Sequence, residues 1–251
     1  MATVYKDAFY QKRKNYAASS AAALVPLLID LFKPRTVLDV GCGDGAWLQA
    51  FERLGGCTVC GVDGPWSPAG QRLGADKFVQ FDLGARPISE LKLPIERFDL
   101  VISFEFLEHV EAAQGRDIVR FICEHAGAAV CGAAAPHQGG THHVNEQYPD
   151  YWAALFEANG FKAYDFLRYA VWDNEAIKPW YRQNIVGYFP GGPPQRVRDF
   201  AQASIGDLLE RPRALCHPGV FGKKLGLFRS ALKNPLKTGL QLLKEEIAKR
   251  G

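Results

Sequence analysis

Much that would place this chain quickly is scarce or missing. No apolar run in its 251 residues reaches the ~20 that a membrane-crossing helix needs. The stretch from Met1 to Asn15 is polar and charged, so no secretory signal is expected. There is no internal repeat, which excludes solenoids and propellers. The six cysteines (Cys42, Cys57, Cys60, Cys123, Cys131 and Cys216) are scattered. Their one C-x-x-C spacing, Cys57 to Cys60, encloses strand-like residues and has no second pair, which argues against a zinc or redox site. Reduced thiols in a cytoplasmic protein are the expectation. Clustered arginines interleaved with aromatics are also absent, so no nucleic-acid partner is expected. What remains is 47% hydrophobic and 23% charged, a balance that suits one large α/β domain with room for an appendage.

The informative segment is Val37 to Gly45, Val-Leu-Asp-Val-Gly-Cys-Gly-Asp-Gly. An apolar strand over Thr36 to Val40 runs into a glycine turn (Gly41, Cys42, Gly43), and a helix is predicted from Ala46. Strand, glycine turn and helix in this order hold a nucleotide at the carboxyl end of the first strand of a doubly wound sheet. Gly41, Gly43 and Ala46 also fit the loose dinucleotide spacing G-x-G-x-x-[GA], so spacing alone leaves NAD open. The charges point elsewhere. Asp39 and Asp44 would repel a pyrophosphate at the helix start but suit a ligand bearing an ammonium and a sulfonium, such as S-adenosylmethionine. A second strand ends at Asp63-Gly64, where the acid can accept hydrogen bonds from both ribose hydroxyls. Asp82-Leu83 after a third strand is placed to meet the adenine amino group, and a fourth apolar strand from Phe98 runs into Phe104-Glu105.

The series D-x-G-x-G, G-V-D, F-D-L and F-D-L-V-x-S-x-E-x-x-E-H-V resembles the class I S-adenosylmethionine-dependent methyltransferases over roughly residues 30 to 190. The resemblance implies a Rossmann-like, seven-stranded, mostly parallel sheet with helices on both faces. It also implies a donor site built from Asp39, Gly41, Cys42, Gly43, Asp63, Gly64, Asp82, Leu83, Phe104 and Glu105. Strands are expected at 36–40, 58–63, 77–81, 98–103 and 128–134, with helices at 46–54 and 115–126 between them. A helix from Ser19 to Phe32 should precede them, and one from Tyr148 to Ala158 should follow. Phe161 to Leu167 and Asn184 to Phe189 would then form the reversed hairpin that closes the sheet. Pro190-Gly-Gly-Pro-Pro194 marks the edge of this domain, residues 1–190, from an extension over 191–251.

The acceptor side is read from the loop Ala135 to Pro149, which opens on the same sheet edge as the glycine turn. His142 and His143 are the candidates for a base that removes a hydroxyl proton, since imidazole titrates near working pH. Asn145, Glu146 and Gln147 are candidate hydrogen-bonding partners of a polyhydroxylated acceptor, and His109 a candidate pocket residue. The alternative is that this loop is a helix start in which Asn145 caps and the histidines pack. No metal is expected, because His137, His142 and His143 have no companion carboxylate motif. The segment from His137 to Tyr188 is similar to a bacterial subgroup associated with surface-polysaccharide assembly, which implies methylation of a sugar-like hydroxyl. Trp152, Trp172, Trp180 and Tyr181 would then be available to stack on sugar faces.

The extension differs in charge. Residues 207–251 hold ten Lys/Arg against four acids, +6, leaving −3 of the whole-chain +3 for residues 1–206. Leu225, Leu232, Leu236, Leu240, Leu243 and Ile247 recur at helical spacing among lysines. Such a helix either packs on the domain or a partner subunit, the preferred reading, or lies on the anionic inner face of a membrane. Three alternatives to O-methylation stay open at this point: N-methylation of an amino sugar or small amine, a non-catalytic donor-binding scaffold in a glycan-assembly complex, and, more distantly, a nicotinamide dehydrogenase.

Overall fold

A computed structural model describes residues 7–206, 210 and 212–221, with side chains from Tyr16 onward. The expected amphipathic helix from Leu225 to Ile247 lies outside the described residues.

Seven strands form one sheet: β1 (Thr36–Val40), β2 (Thr58–Asp63), β3 (Phe78–Gln80), β4 (Leu100–Phe104), β5 (Ala129–Gly132), β6 (Phe161–Tyr164) and β7 (Val186–Pro190). Their order is β3-β2-β1-β4-β5-β7-β6. All pairings are parallel except those of β7, which runs antiparallel to both β5 and β6. This is the expected Rossmann-like architecture. The strands are apolar on both faces because both are covered. Val37, Ile102 and Val130 point to one side, against Leu24 and Leu28 of α1 (Asp7–Phe32) and Leu48 and Phe51 of α2 (Ala46–Gly55). Leu38, Val101 and Ala129 point to the other, against Ile118 and Ile122 of α4 (Ala112–His125) and Phe156 of α5 (Pro149–Ala158). A short α3 (Ala69–Leu73) links β2 to β3. Each fully buried Leu or Phe of this kind contributes ~1.5–3 kcal/mol.

Three departures from expectation occur, the last two with local causes. Helix α1 begins at Asp7 rather than Ser19. Strand β6 stops at Tyr164, because Asp165 and Arg168 pair as a fully buried ion pair and turn the chain into α6 (Leu167–Val171). A proline then starts α7 (Pro179–Asn184), so Asn184 ends a helix and β7 begins at Val186 rather than at Asn184. Beyond the proline-glycine break, α8 (Gln195–Ile205) buries Val197 and Ala201 in the same core as α1, and Arg196 donates to the Phe32 carbonyl at 3.0 Å. Among the described residues no helix is long and apolar enough to cross a membrane.

The carboxyl ends of β1, β2 and β4 face the same edge as the loops after β5 and β6. One cavity of about 640 Å³ opens there.

Candidate active site

The donor end is built by the turn after β1. Gly41 and Cys42 donate their backbone N–H groups to the Val62 carbonyl at 2.9 and 3.1 Å, tying the turn to β2. Gly41 has φ +80°, and a Cβ there would sit 2.1 Å from the Phe106 ring, so no side chain fits. Gly43 also has a positive φ, but a Cβ on it would meet only open space, on the cavity side. The turn thus leaves room for a ligand against its backbone.

Three acids surround it. Asp63 accepts from Gly43 N–H at 2.6 Å and from Gly64 N–H at 2.7 Å. Burial pushes its carboxyl up, the two amide donors pull it down and Asp82 raises it again, to about 6. Asp39 is 2% exposed, and its Oδ2 has no hydrogen-bond partner among the described residues. Burial first, then the charges of Asp63 and Asp44, push it well above the usual carboxylate range. Asp44 differs: Arg72 pairs with it at 2.8 Å, and it accepts from Ala46 N–H at the start of α2. The case against a pyrophosphate therefore rests on Asp39 and Asp63, not on Asp44.

These groups fit S-adenosylmethionine. A buried, unsatisfied acceptor suits an ammonium donor, and a carboxylate has about four lone-pair sites. Two of those on Asp63 stay open beside its backbone bonds, enough for two ribose hydroxyls. Cys42, Gly64, Leu83 and Phe104 line the cavity. Asp82 does not: its carboxylate accepts from Gly84 and Ala85 N–H at 3.0 and 3.1 Å, closing a turn, while Leu83 and Gly84 face the ligand space.

The same cavity continues to Glu108, His109 and His143. His143 is held by Glu146, Nδ1 to Oε1 2.8 Å, and its Nε2 lies 3.9 Å from Glu108 Oε1. Burial raises the Glu146 carboxyl, but hydrogen bonds from His143 and from the His137 N–H outweigh it and hold the group below its ordinary value. His109 Nδ1 lies 3.1 Å from the His142 carbonyl, and its ring meets that of His143 edge to face at 4.9 Å.

Of the two candidate bases, only His143 lines the cavity; His142 takes a left-handed backbone (φ +58°) and offers its carbonyl to His109. Glu146 stands behind His143 rather than in the cavity, and Gln147 donates to Asn145. Asn145 is itself buried, packed near Gly115 of α4. These last two therefore support the loop instead of reaching an acceptor. Trp180 and Tyr181 line the cavity, Tyr181 edge-on against Trp47. Trp152 is buried on the core side of α5, and Trp172 lies over His217, so neither reaches it.

Sequence reasoning missed a partly buried polar network. Glu105, at φ +53°, accepts from Gln138 Nε2 and from Asn184 Nδ2, both at 2.7 Å. Gln183 donates to Gln138 Oε1 at 3.1 Å and accepts from His217 N–H at 2.8 Å. This anchors residues 212–221, whose Gly219 and Val220 form part of the cavity wall. Arg168 adds a second anchor through the Arg213 carbonyl at 2.8 Å. The sequence signal was the polar pair Gln183-Asn184 just before an apolar strand.

Comparison with known proteins agrees with this geometry. Residues 10–128 match the family model described as a methyltransferase domain. A ubiquinone biosynthesis O-methyltransferase of Bradyrhizobium diazoefficiens is 42% identical over 76 residues, 30% of this chain. The match spans 29% of that relative's length. Among solved structures, Streptomyces venezuelae DesVI superposes with a TM-score of 0.55 at 18% identity, covering 75% of this chain and 98% of that one. The sugar N-methyltransferase KedS8 from Streptoalloteichus gives 0.55 at 16%, covering 73% and 91%. The chain therefore has the class I methyltransferase fold, its residues 10–128 match a methyltransferase domain, and its cofactor is S-adenosylmethionine.

Proposed function

We propose that the protein transfers the methyl group of S-adenosylmethionine to a hydroxyl of a sugar or related polyhydroxylated small molecule, in surface-glycan biosynthesis. One observation carries this reading: a single cavity joins the donor turn at Asp39, Gly43 and Asp63 to the imidazoles of His109 and His143. Bound S-adenosylmethionine supplies an electrophilic methyl carbon on a cationic sulfur. The chain's own residues do the rest. Trp180 and Tyr181 offer flat apolar faces to a ring-shaped acceptor. Gln138, whose Oε1 accepts from Gln183 and Asn184 and whose Nε2 gives one hydrogen to Glu105, has one N–H left to offer to its hydroxyls. His143, with Nδ1 fixed by Glu146, turns Nε2 toward the acceptor and receives its proton as the oxygen–carbon bond forms and the carbon–sulfur bond breaks. Positioning at close range supplies the larger part of the acceleration. The sugar N-methyltransferase and the O-methyltransferase among the similar proteins support a small-molecule acceptor.

The test is methyl transfer from radiolabelled S-adenosylmethionine to a panel of sugars, nucleotide sugars and amino sugars. Labelled ether product, lost in Asp63→Ala and reduced in His143→Ala, supports O-methylation. Turnover confined to amino sugars and indifferent to His143→Ala assigns N-methylation instead. Donor binding with no turnover on any acceptor would leave a binding scaffold.

A further inference from the structure

The imidazole–carboxylate cluster at the acceptor end carries a second consequence. Glu108 is fully buried, and ligand atoms of Glu108, His109 and His143 all lie within 4.8 Å of one another. They come from two separate segments, the 3-10 turn after β4 and the loop after β5.

The tautomers follow from the hydrogen bonds. A carbonyl oxygen faces His109 Nδ1 and a carboxylate faces His143 Nδ1, so both Nδ1 atoms carry the proton. In neutral rings this leaves the lone pair on each Nε2. The lone pair of His143 then lies on the side of the Glu108 carboxylate, at 3.9 Å. That distance is too long for a hydrogen bond. It lies within the ~4.2 Å that two ligands can span across one ion when each bond is ~2.1 Å. An oxygen acceptor on the far nitrogen of each ring is also how metal-binding histidines are held and their basicity raised.

We infer that Glu108, His109 and His143 bind a divalent transition-metal ion, with an open coordination position facing the acceptor cavity. Two imidazoles and one carboxylate suit zinc, cobalt or iron(II), and suit magnesium or calcium poorly, since those prefer all-oxygen sites. Three protein ligands with a free position is the pattern of a catalytic rather than a structural site. An acceptor hydroxyl taken into that position would lose its proton to water more readily, because the cation stabilises the oxygen anion. The inference rests on the proposal that this cavity takes the acceptor, and it changes the task of His143 from proton acceptor to ligand. The expectation that no metal would bind looked for a carboxylate motif beside His137, His142 and His143. Of these three only His143 belongs to the cluster; Glu108 supplies the carboxylate from another segment.

The test uses the full chain, stripped with a chelator and titrated with Co²⁺ alone. The expected result is one equivalent bound, with the visible ligand-field absorption of a low-coordinate nitrogen–oxygen site, displaced by Zn²⁺ but not by Mg²⁺. His109→Ala and His143→Ala should each abolish that absorption, and Glu146→Gln should weaken Co²⁺ binding ~10–100-fold. His125→Ala and His142→Asn should leave it unchanged. Retained S-adenosylhomocysteine binding shows that each variant is folded. Absence of the absorption in the folded parent, or its persistence in both histidine variants, overturns the metal site. Labelled product that forms equally well after chelation also overturns it while leaving methyl transfer standing. A Co²⁺ site that needs all three residues, in a protein that methylates no acceptor, upholds the metal site and removes the proposed reaction.

Discussion

Glu146 Oε1 and His143 Nδ1 lie 2.8 Å apart, and this contact decides which nitrogen of His143 faces the cavity. Glu146 also accepts from His137 N–H at 2.9 Å, so it is fixed by the loop and cannot follow the ring if the ring turns. His143→Ala should lower kcat by ~10²–10⁴-fold with donor affinity unchanged. Glu146→Gln should lower kcat less, because the ring stays in the cavity with its orientation loosened. Steady-state kinetics alongside calorimetric titration with S-adenosylhomocysteine separates the two effects.

Asp63 gives the donor site a pH dependence of known sign. Its carboxyl titrates at about 6 in the fold, against ~3.9 in an unfolded chain. Ribose hydroxyls need the ionised acceptor, so S-adenosylhomocysteine affinity should rise with pH through about 6 and flatten above 7. Fold stability moves the other way. A raised carboxyl favours the folded state below pH 4, and that contribution, on the order of 3 kcal/mol, is lost as pH rises through about 6. Affinity and thermal unfolding of the ligand-free protein between pH 4.5 and 8 should show opposite trends, and Asp63→Ala should remove both along with tight donor binding.

Gly41 and Gly43 should respond differently to the same change. At Gly41 an added methyl runs into Phe106, so Gly41→Ala should lower Tm and abolish donor binding together. At Gly43 the methyl enters open space and costs only the ~1–2 kcal/mol of a left-handed backbone. Gly43→Ala should therefore remain folded, with donor affinity lost out of proportion to its stability. Thermal melts paired with titration distinguish the two.

Arg168 is fully buried, and its partners are Asp165 and the carbonyls of Gln183 and Arg213. Removing one member of a buried pair costs ~3–5 kcal/mol, because the other charge is stranded. Arg168→Met should lose that much in urea denaturation, whereas the double variant Arg168→Met with Asp165→Leu should recover a large part of it.

The donor half of this protein could be read from its sequence because its signals are local. A strand, a glycine turn and acids at strand ends are set by neighbours a few residues apart. Asp39, Gly41, Gly43 and Asp63 therefore fall where the pattern puts them. Asp82 does not, because an acid two residues before a glycine can satisfy itself by closing its own turn. The acceptor half depends on long-range packing. Nothing near His143 in the chain reveals that Glu108 lies beside it, or that Gln183 reaches both Gln138 and the backbone at His217. Asn145 shows the converse: a polar residue in a promising loop that packs against a helix instead.

Glu108 and His109 apart, the division between the two halves also runs along the chain. Asp39, Gly43, Asp63 and Leu83 all precede β5, whereas Gln138, Tyr181 and Val220 all follow it. A genetic crossover near Gly132 would therefore exchange most of the acceptor wall while leaving the donor grip intact. Such a protein could acquire a new acceptor by recombination at one point, without reinventing how it holds its methyl source.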